Sequence, residues 1–225
     1  MTVAQTVIAC LAQLGLALAV AGLLLRGHGR FCRAFAAYLS FALVCNVLIT
    51  GWPDQFFTMP FWIFEQFVLD VLKIAVALET AYWAFLGFDG ARDVARGALF
   101  LLLAATLAAV LALHHEDAEG VVLLGLQPRM ATATVWLFTA LAALVAWYRI
   151  PMHPVHMGIM IGFVPYLVLF TTVLRFMTAF GWGETLATLD PVAYVAACAW
   201  WAKMAWRPAP ALDPVVARLQ PWRVR

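Results

Sequence analysis

Residues 1–30 read MTVAQTVIACLAQLGLALAVAGLLLRGHGR, and the first charged side chain in this stretch is Arg26. A helix that rises about 1.5 Å per residue needs about 20 apolar residues to cross the roughly 30 Å hydrocarbon core of a bilayer. A cleavable signal peptide would carry its basic residues first and would end at a small-residue cleavage site. Here the basic residues follow the apolar run, so the pattern predicts a retained first membrane span.

The rest of the chain is similarly apolar. Of the 225 residues, 65% are hydrophobic and 12% are charged, and the mean hydropathy is +0.91. Soluble domains are about half apolar and about a quarter charged. The formal net charge is only +2, and the basic residues are scattered over loops instead of forming the basic stripe of a nucleic-acid-binding protein. The composition therefore predicts an all-α integral membrane protein without a nucleic-acid partner.

Gly, Pro and charged residues divide the chain into seven apolar runs, which predict one bundle of seven transmembrane helices. The predicted spans lie near 3–25, 31–50, 59–87, 97–114, 130–148, 155–180 and 187–206. They form one domain, 1–206, followed by a basic, Pro-rich cytoplasmic tail, 207–225. The third and sixth spans are longer than a bilayer requires and are expected to tilt or to kink, with Pro165 as the expected kink. The run VVLLGL at 121–126 is expected to lie in the interface or to extend the fifth span.

The distribution of Lys and Arg over alternate loops predicts the orientation of the bundle. Eleven of these residues fall on one side, and only Arg129 falls in a loop on the other. By the positive-inside rule, the N-terminus is outside and the C-terminus is in the cytoplasm, which fits a bacterial inner membrane. The opposite face is acidic, with Asp54, Glu116, Asp117, Glu119, Glu184 and Asp190.

Cofactor-binding and catalytic motifs are missing from the sequence. The four cysteines have no CxxC spacing, HPVH at 153–156 is a weak metal pattern, and no GxSxG, HExxH or GxxxxGK[ST] occurs. A retinal-binding lysine would lie deep in the membrane, whereas Lys203 lies four residues before Arg207, near the surface. We therefore expect no cofactor and no metal site, and the sequence contains no motif that favours enzymatic activity. A lipid-directed enzyme whose active site is assembled from scattered residues stays open.

The third span is unusual because it carries four charges within FEQFVLDVLKIAVALE, residues 64–79. At about 100° per residue, Glu65, Asp70, Lys73 and Glu79 share one half of the helix, and apolar residues fill the other half. Charged groups in membrane spans rarely face lipid. The polar half is therefore predicted to face the inside of the bundle.

Each of these charges has a candidate partner. Asp70 and Lys73 are three residues apart, which allows an ion pair within the helix. Glu65 and Arg175 are expected at equal depth near the outer ends of spans three and six, and we predict an ion pair between them. Asn46 is expected to join them by a side-chain hydrogen bond. Lys203 is the candidate cation for Glu79.

Ionisable residues inside a membrane frequently mark an ion or substrate pathway. The sequence therefore predicts that a small solute or ion passes along a path lined by Glu65, Asp70, Lys73, Glu79, Arg175 and Asn46. An alternative is a membrane sensor or an accessory or structural subunit that binds a lipid, a ligand, partner helices or a second copy of itself. In that case the charges form fixed pairs that specify how the helices associate.

Overall fold

The computed structural model describes residues 3–85, 122–147, 152–180 and 184–208, and these residues form an all-helical protein. Seven α-helices and one 3-10 turn, His28–Arg30, occur in these ranges. The α-helices are α1 Val3–Leu25, α2 Arg33–Gly51, α3 Pro53–Phe56, α4 Met59–Phe85, α5 Val122–Trp147, α6 Pro154–Phe180 and α7 Glu184–Ala205.

Six of the seven predicted spans coincide with long helices, and the fourth, 97–114, lies outside the described residues. The remaining α-helix in the described ranges is α3, a single turn that is far too short to cross a bilayer. Helix α5 begins at Val122, so most of VVLLGL extends the fifth helix. Helix α6 continues through Pro165. Of the predicted tail, only the first two residues are described.

Within the described ranges, three helices are long and apolar enough to cross a membrane: Gln5–Leu25, Arg33–Gly51 and Pro154–Val173. Helix α4 has 27 residues but carries the four charges noted above. Large apolar side chains point away from the helix contacts, and Leu14 on α1 is 58% exposed. In water such a surface would be unfavourable, whereas lipid chains solvate it readily.

The six long helices pack as a closed ring. Contacts run from α1 to α2, from α2 to α4, and onward through α5, α6 and α7 back to α1. Side chains on the inner faces of these helices therefore meet, although the residues are far apart in sequence.

A group of aromatic rings fills part of the ring interior. The centroid of Phe163 on α6 lies 4.8 Å from that of Trp201 on α7 and 5.0 Å from that of Phe138 on α5. Phe35 and Tyr38 of α2 contact both Trp201 and Phe163. These five side chains are buried, so they close the ring interior at this level with packed apolar surface.

Glycine allows two of the helix contacts to be close. A Cβ at Gly15 of α1 would lie 2.9 Å from the Cβ of Cys198 on α7. A Cβ at Gly162 of α6 would fall on the indole of Trp201. Small residues are common where membrane helices approach closely. Here they bring α1 and α6 onto α7 and make room for the buried indole.

Candidate functional site

The charged half of α4 faces the ring interior, as the helical periodicity predicts. Glu65, Asp70 and Lys73 are buried, with Asp70 only 2% exposed, whereas Phe67 and Val71 lie on the exposed side. Burial of an ionised group is costly unless another group compensates it. The surroundings of each charge therefore decide its role.

Asp70 and Lys73 form the predicted ion pair. The Lys73 ammonium donates to Oδ1 of Asp70 at 2.9 Å. Helical side chains lean towards the N-terminus of their helix, which brings the lysine back over the preceding turn. The ammonium also lies 5.9 Å from the ring centroid of Phe170 on α6, a cation–π distance.

A second helix supplies another acid to this site. Asp190 of α7 is within electrostatic range of Lys73, and so is Glu65. The Oδ1 atom of Asp190 is buried and has no hydrogen-bond partner among the described residues. Among the described side chains, the Lys73 ammonium therefore contacts the carboxyl group of Asp70 and interacts at longer range with those of Glu65 and Asp190.

Tyrosines flank these charges. Tyr38 of α2 is within electrostatic range of Glu65, Asp70 and Asp190. Tyr166 of α6 is within range of Asp190, and its ring centroid lies 5.5 Å from that of Tyr194 on α7. We call Tyr38, Glu65, Asp70, Lys73 and Asp190 the Lys73 cluster. Its members come from α2, α4 and α7, which the closure of the ring brings together.

Sequence reasoning missed two members of this cluster. The sequence predicts Asp190 on the acidic outer face, and in the structure it lies six residues into α7 with its Oδ1 atom buried. Tyr38 lies among apolar residues of the second predicted span, 31–50. A hydroxyl or carboxyl group within a predicted span is the signal by which the sequence could have identified these two residues. Only the packing of the helices shows which of these groups meet.

Arg175 and Asn46 are the two predicted partners of Glu65. The side chain of Arg175 lies outside the described residues, so the Glu65–Arg175 pair stays a prediction. The Asn46 amide donates to the carbonyl of Ala42 at 2.8 Å, within its own helix. The backbone carbonyl of Asn46 accepts a hydrogen bond from the side-chain amide of Gln13 at 3.0 Å, and this bond links α1 to α2.

Glu79 has a different role from the predicted one. Its two carboxylate oxygens accept hydrogen bonds from the backbone N–H groups of Arg33 at 2.8 Å and Ala34 at 2.9 Å. These donors belong to the first turn of α2, which has no intrahelical acceptors for them and carries the positive end of the helix dipole. The expected pairing with Lys203 is therefore wrong. That lysine is exposed in the last turn of α7.

Histidine and cysteine side chains gather at the end of the ring where α2 and α6 begin. Cys32 Sγ lies 3.7 Å from Nε2 of His156, and the ring centroids of His153 and His156 are 6.1 Å apart. Burial lowers the pKa of His153, and the nearby His28 adds to this effect. Within the described ranges, no three His, Cys, Asp or Glu side chains are arranged to hold a metal ion.

Two surface cavities lie away from the Lys73 cluster. One, of about 230 Å³, is lined by Ile49 and by residues of the α3–α4 connection. The other, of about 370 Å³, lies where α6 begins and α7 ends, beside His28 and Arg207.

Comparison of the chain with protein-family models, curated proteins and solved structures finds no match.

Proposed function

We propose that the chain is a seven-span integral membrane protein of a bacterial inner membrane that moves or admits a small solute or ion through the Lys73 cluster. Its N-terminus is outside and its C-terminus is in the cytoplasm. The excess of carboxyl groups over ammonium groups at the cluster favours a cation or a proton as the transported species, because each buried carboxylate needs a compensating positive charge.

The unpartnered Oδ1 of Asp190 is the observation that carries this proposal. Asp70 satisfies Lys73 by a direct ion pair, so the lysine does not also form a short contact with Asp190. A buried carboxyl oxygen without a donor is unfavourable by about 1–3 kcal/mol, and more when the group is charged. A bound cation supplies the missing partner, a bound proton removes the charge, and release of either restores the uncompensated carboxylate. A group that alternates in this way is what a transport site requires.

The test is cation and proton flux through the purified chain in liposomes. With a potassium gradient and a pH-sensitive dye inside the vesicles, wild type should give flux above that of empty vesicles. Asp190→Asn should abolish it, whereas Asp54→Asn, which changes an exposed acid in the short helix α3, should leave it unchanged. Equal flux in both variants would reject Asp190 as part of the path. No wild-type flux for any tested cation would reject transport.

A sensor or an accessory subunit is the second candidate, and two contacts favour it. Asp70 and Lys73 neutralise one another, and Glu79 caps a helix, so three of the four charges on α4 have structural partners. Such contacts specify helix association without any transported species. A stoichiometric membrane partner that co-purifies with an inactive chain would support this role.

A further inference from the structure

We propose that the cavity between the beginning of α6 and the end of α7 binds an anionic glycerophospholipid, with its phosphate at Arg207 and an acyl segment along the apolar wall. This inference rests on the membrane placement proposed above and is independent of transport. The cavity volume of about 370 Å³ falls within the range of roughly 300–1,000 Å³ that is usual for small-ligand sites.

The apolar wall of the cavity suits a hydrocarbon chain. Met157 and Ile161 of α6 and Met204 of α7 line it. Ile161 is 49% exposed and Met157 is 37% exposed, so the cavity opens at the outer surface of the ring instead of into its interior. In a membrane that surface meets acyl chains. A lipid can therefore enter from the side without crossing the helix bundle.

The polar end of the cavity presents an oriented cation. The Arg207 guanidinium lies 6.0 Å from the ring centroid of Trp200, and the Trp200 indole is held by a hydrogen bond to the carbonyl of Gly158 at 2.8 Å. The backbone carbonyl of Arg207 lies 3.2 Å from Nε2 of buried His28. The backbone and the guanidinium of Arg207 therefore each lie near a neighbouring ring at the cavity. A planar guanidinium matches phosphate oxygens in a bidentate geometry.

Charge selects the class of lipid. The cavity is lined in part by His28 of the α1–α2 connection, and the exposed Arg26, Arg30 and Arg33 lie within five residues of His28 in the sequence. The only charged side chain lining the cavity is Arg207, among the residues that the structure describes. The predicted cytoplasmic side of this bundle is also the leaflet surface where anionic headgroups attract basic segments. A net negative headgroup is therefore favoured over a zwitterionic one.

Native mass spectrometry of the full chain, released from detergent with added lipid, tests the site. Phosphatidylglycerol and phosphatidylcholine with the same acyl chains are compared for wild type, Arg207→Gln and Arg30→Gln. Arg30 is the matched control because it is exposed at the same end of the ring but does not line the cavity. We expect one tight phosphatidylglycerol in wild type and in Arg30→Gln. Its affinity should fall about tenfold in Arg207→Gln, as for the loss of one charged hydrogen-bonded contact.

A second variant separates the cavity from general surface charge. Ile161→Trp should fill the cavity and weaken phosphatidylglycerol binding while Arg207 is retained. A photo-reactive amino acid at Met157 should cross-link to phosphatidylglycerol in vesicles of phosphatidylcholine and phosphatidylglycerol. Cross-links to the chain itself or to another protein would overturn the lipid assignment. Equal binding of the two lipids, or equal loss in the two arginine variants, would overturn it as well.

Failure of the lipid site and failure of the proposed membrane placement would give different results. A chain recovered from cells without detergent would contradict the membrane placement. A chain that requires detergent but shows no preference for phosphatidylglycerol would contradict the lipid site alone.

Discussion

Individual residues in α4 differ in how their charge is compensated, although all four lie on one half of the helix. Asp70 and Lys73 compensate one another at 2.9 Å, and Glu79 is compensated by backbone N–H groups. Glu65 and Asp190 have only the longer-range influence of Lys73 among the described groups. Lys73 is therefore the single described cation on which three acids depend.

Replacing Lys73 tests this dependence. Lys73→Met leaves Asp70 buried without its partner, so the free energy of unfolding should fall by about 3–5 kcal/mol. The double variant Lys73→Met, Asp70→Leu should recover much of that loss, because no charge is stranded. Denaturant unfolding in detergent, followed by circular dichroism, measures both. Val71→Ala on the exposed face is the control, and a similar loss there would contradict the assignment.

Asp190 should behave in the opposite way. Its Oδ1 has no donor to lose, so Asp190→Asn should leave the free energy of unfolding unchanged within about 0.5 kcal/mol or raise it. The same variant should abolish flux in the liposome assay. A large destabilisation would show that the carboxylate has a stabilising partner and would contradict its role as an uncompensated group.

At the scale of elements, two contacts fix how the helices meet. Helix α2 depends on a residue of α4 for its N-terminal cap, and α6 depends on a glycine for its close approach to α7. Both devices act between helices that are distant in sequence. Each can be tested by one substitution with a matched control.

The cap predicts that Glu79→Ala exposes the unsatisfied first turn of α2. The free energy of unfolding should fall by about 1–2 kcal/mol, and hydrogen exchange at the amides of Arg33 and Ala34 should accelerate. Lys203→Met should have neither effect, since the ammonium does not pair with Glu79. Both effects in Lys203→Met would contradict the cap and would support the Glu79–Lys203 ion pair that the sequence predicts.

The close approach predicts that Gly162→Ala is destabilising. The added methyl group would meet the buried Trp201 indole, and overpacking of this kind typically costs about 1–3 kcal/mol. Gly51→Ala is the matched control, because a Cβ there meets nothing within 4 Å. The thermal midpoint in detergent should fall for Gly162→Ala only. Equal midpoints for the two variants would contradict the packing of α6 on α7.

For the whole molecule, ring closure by six helices explains why polar groups from α2, α4 and α7 meet. The aromatic group around Phe163 and Trp201 packs the interior at one level, and the Lys73 cluster provides a polar region nearby. A transported ion would have to pass between these regions. In the proposed transport, the orientation of the ring decides from which side the ion enters.

The predicted orientation can be tested on the described α1–α2–α4 segment. In a cysteine-free background, Asp54→Cys should react with an impermeant maleimide added to intact spheroplasts. Arg30→Cys should react only after the membrane is permeabilised, since α2 separates the two positions. Reaction of both positions from the same side would show that α2 does not cross the membrane.

Local sequence determined the helical class, the positions of six long helices, the inward half of α4 and the Asp70–Lys73 pair. These features depend on apolar run length and on the 3.6-residue period, which are properties of neighbouring residues. The tertiary structure alone decided that Glu79 caps α2, that Asp190 lies within electrostatic range of Lys73 and that a cavity lies beside Arg207. Each of these depends on which helices become neighbours when the ring closes, and similar apolar helix surfaces do not specify that order in a way that a single sequence reveals.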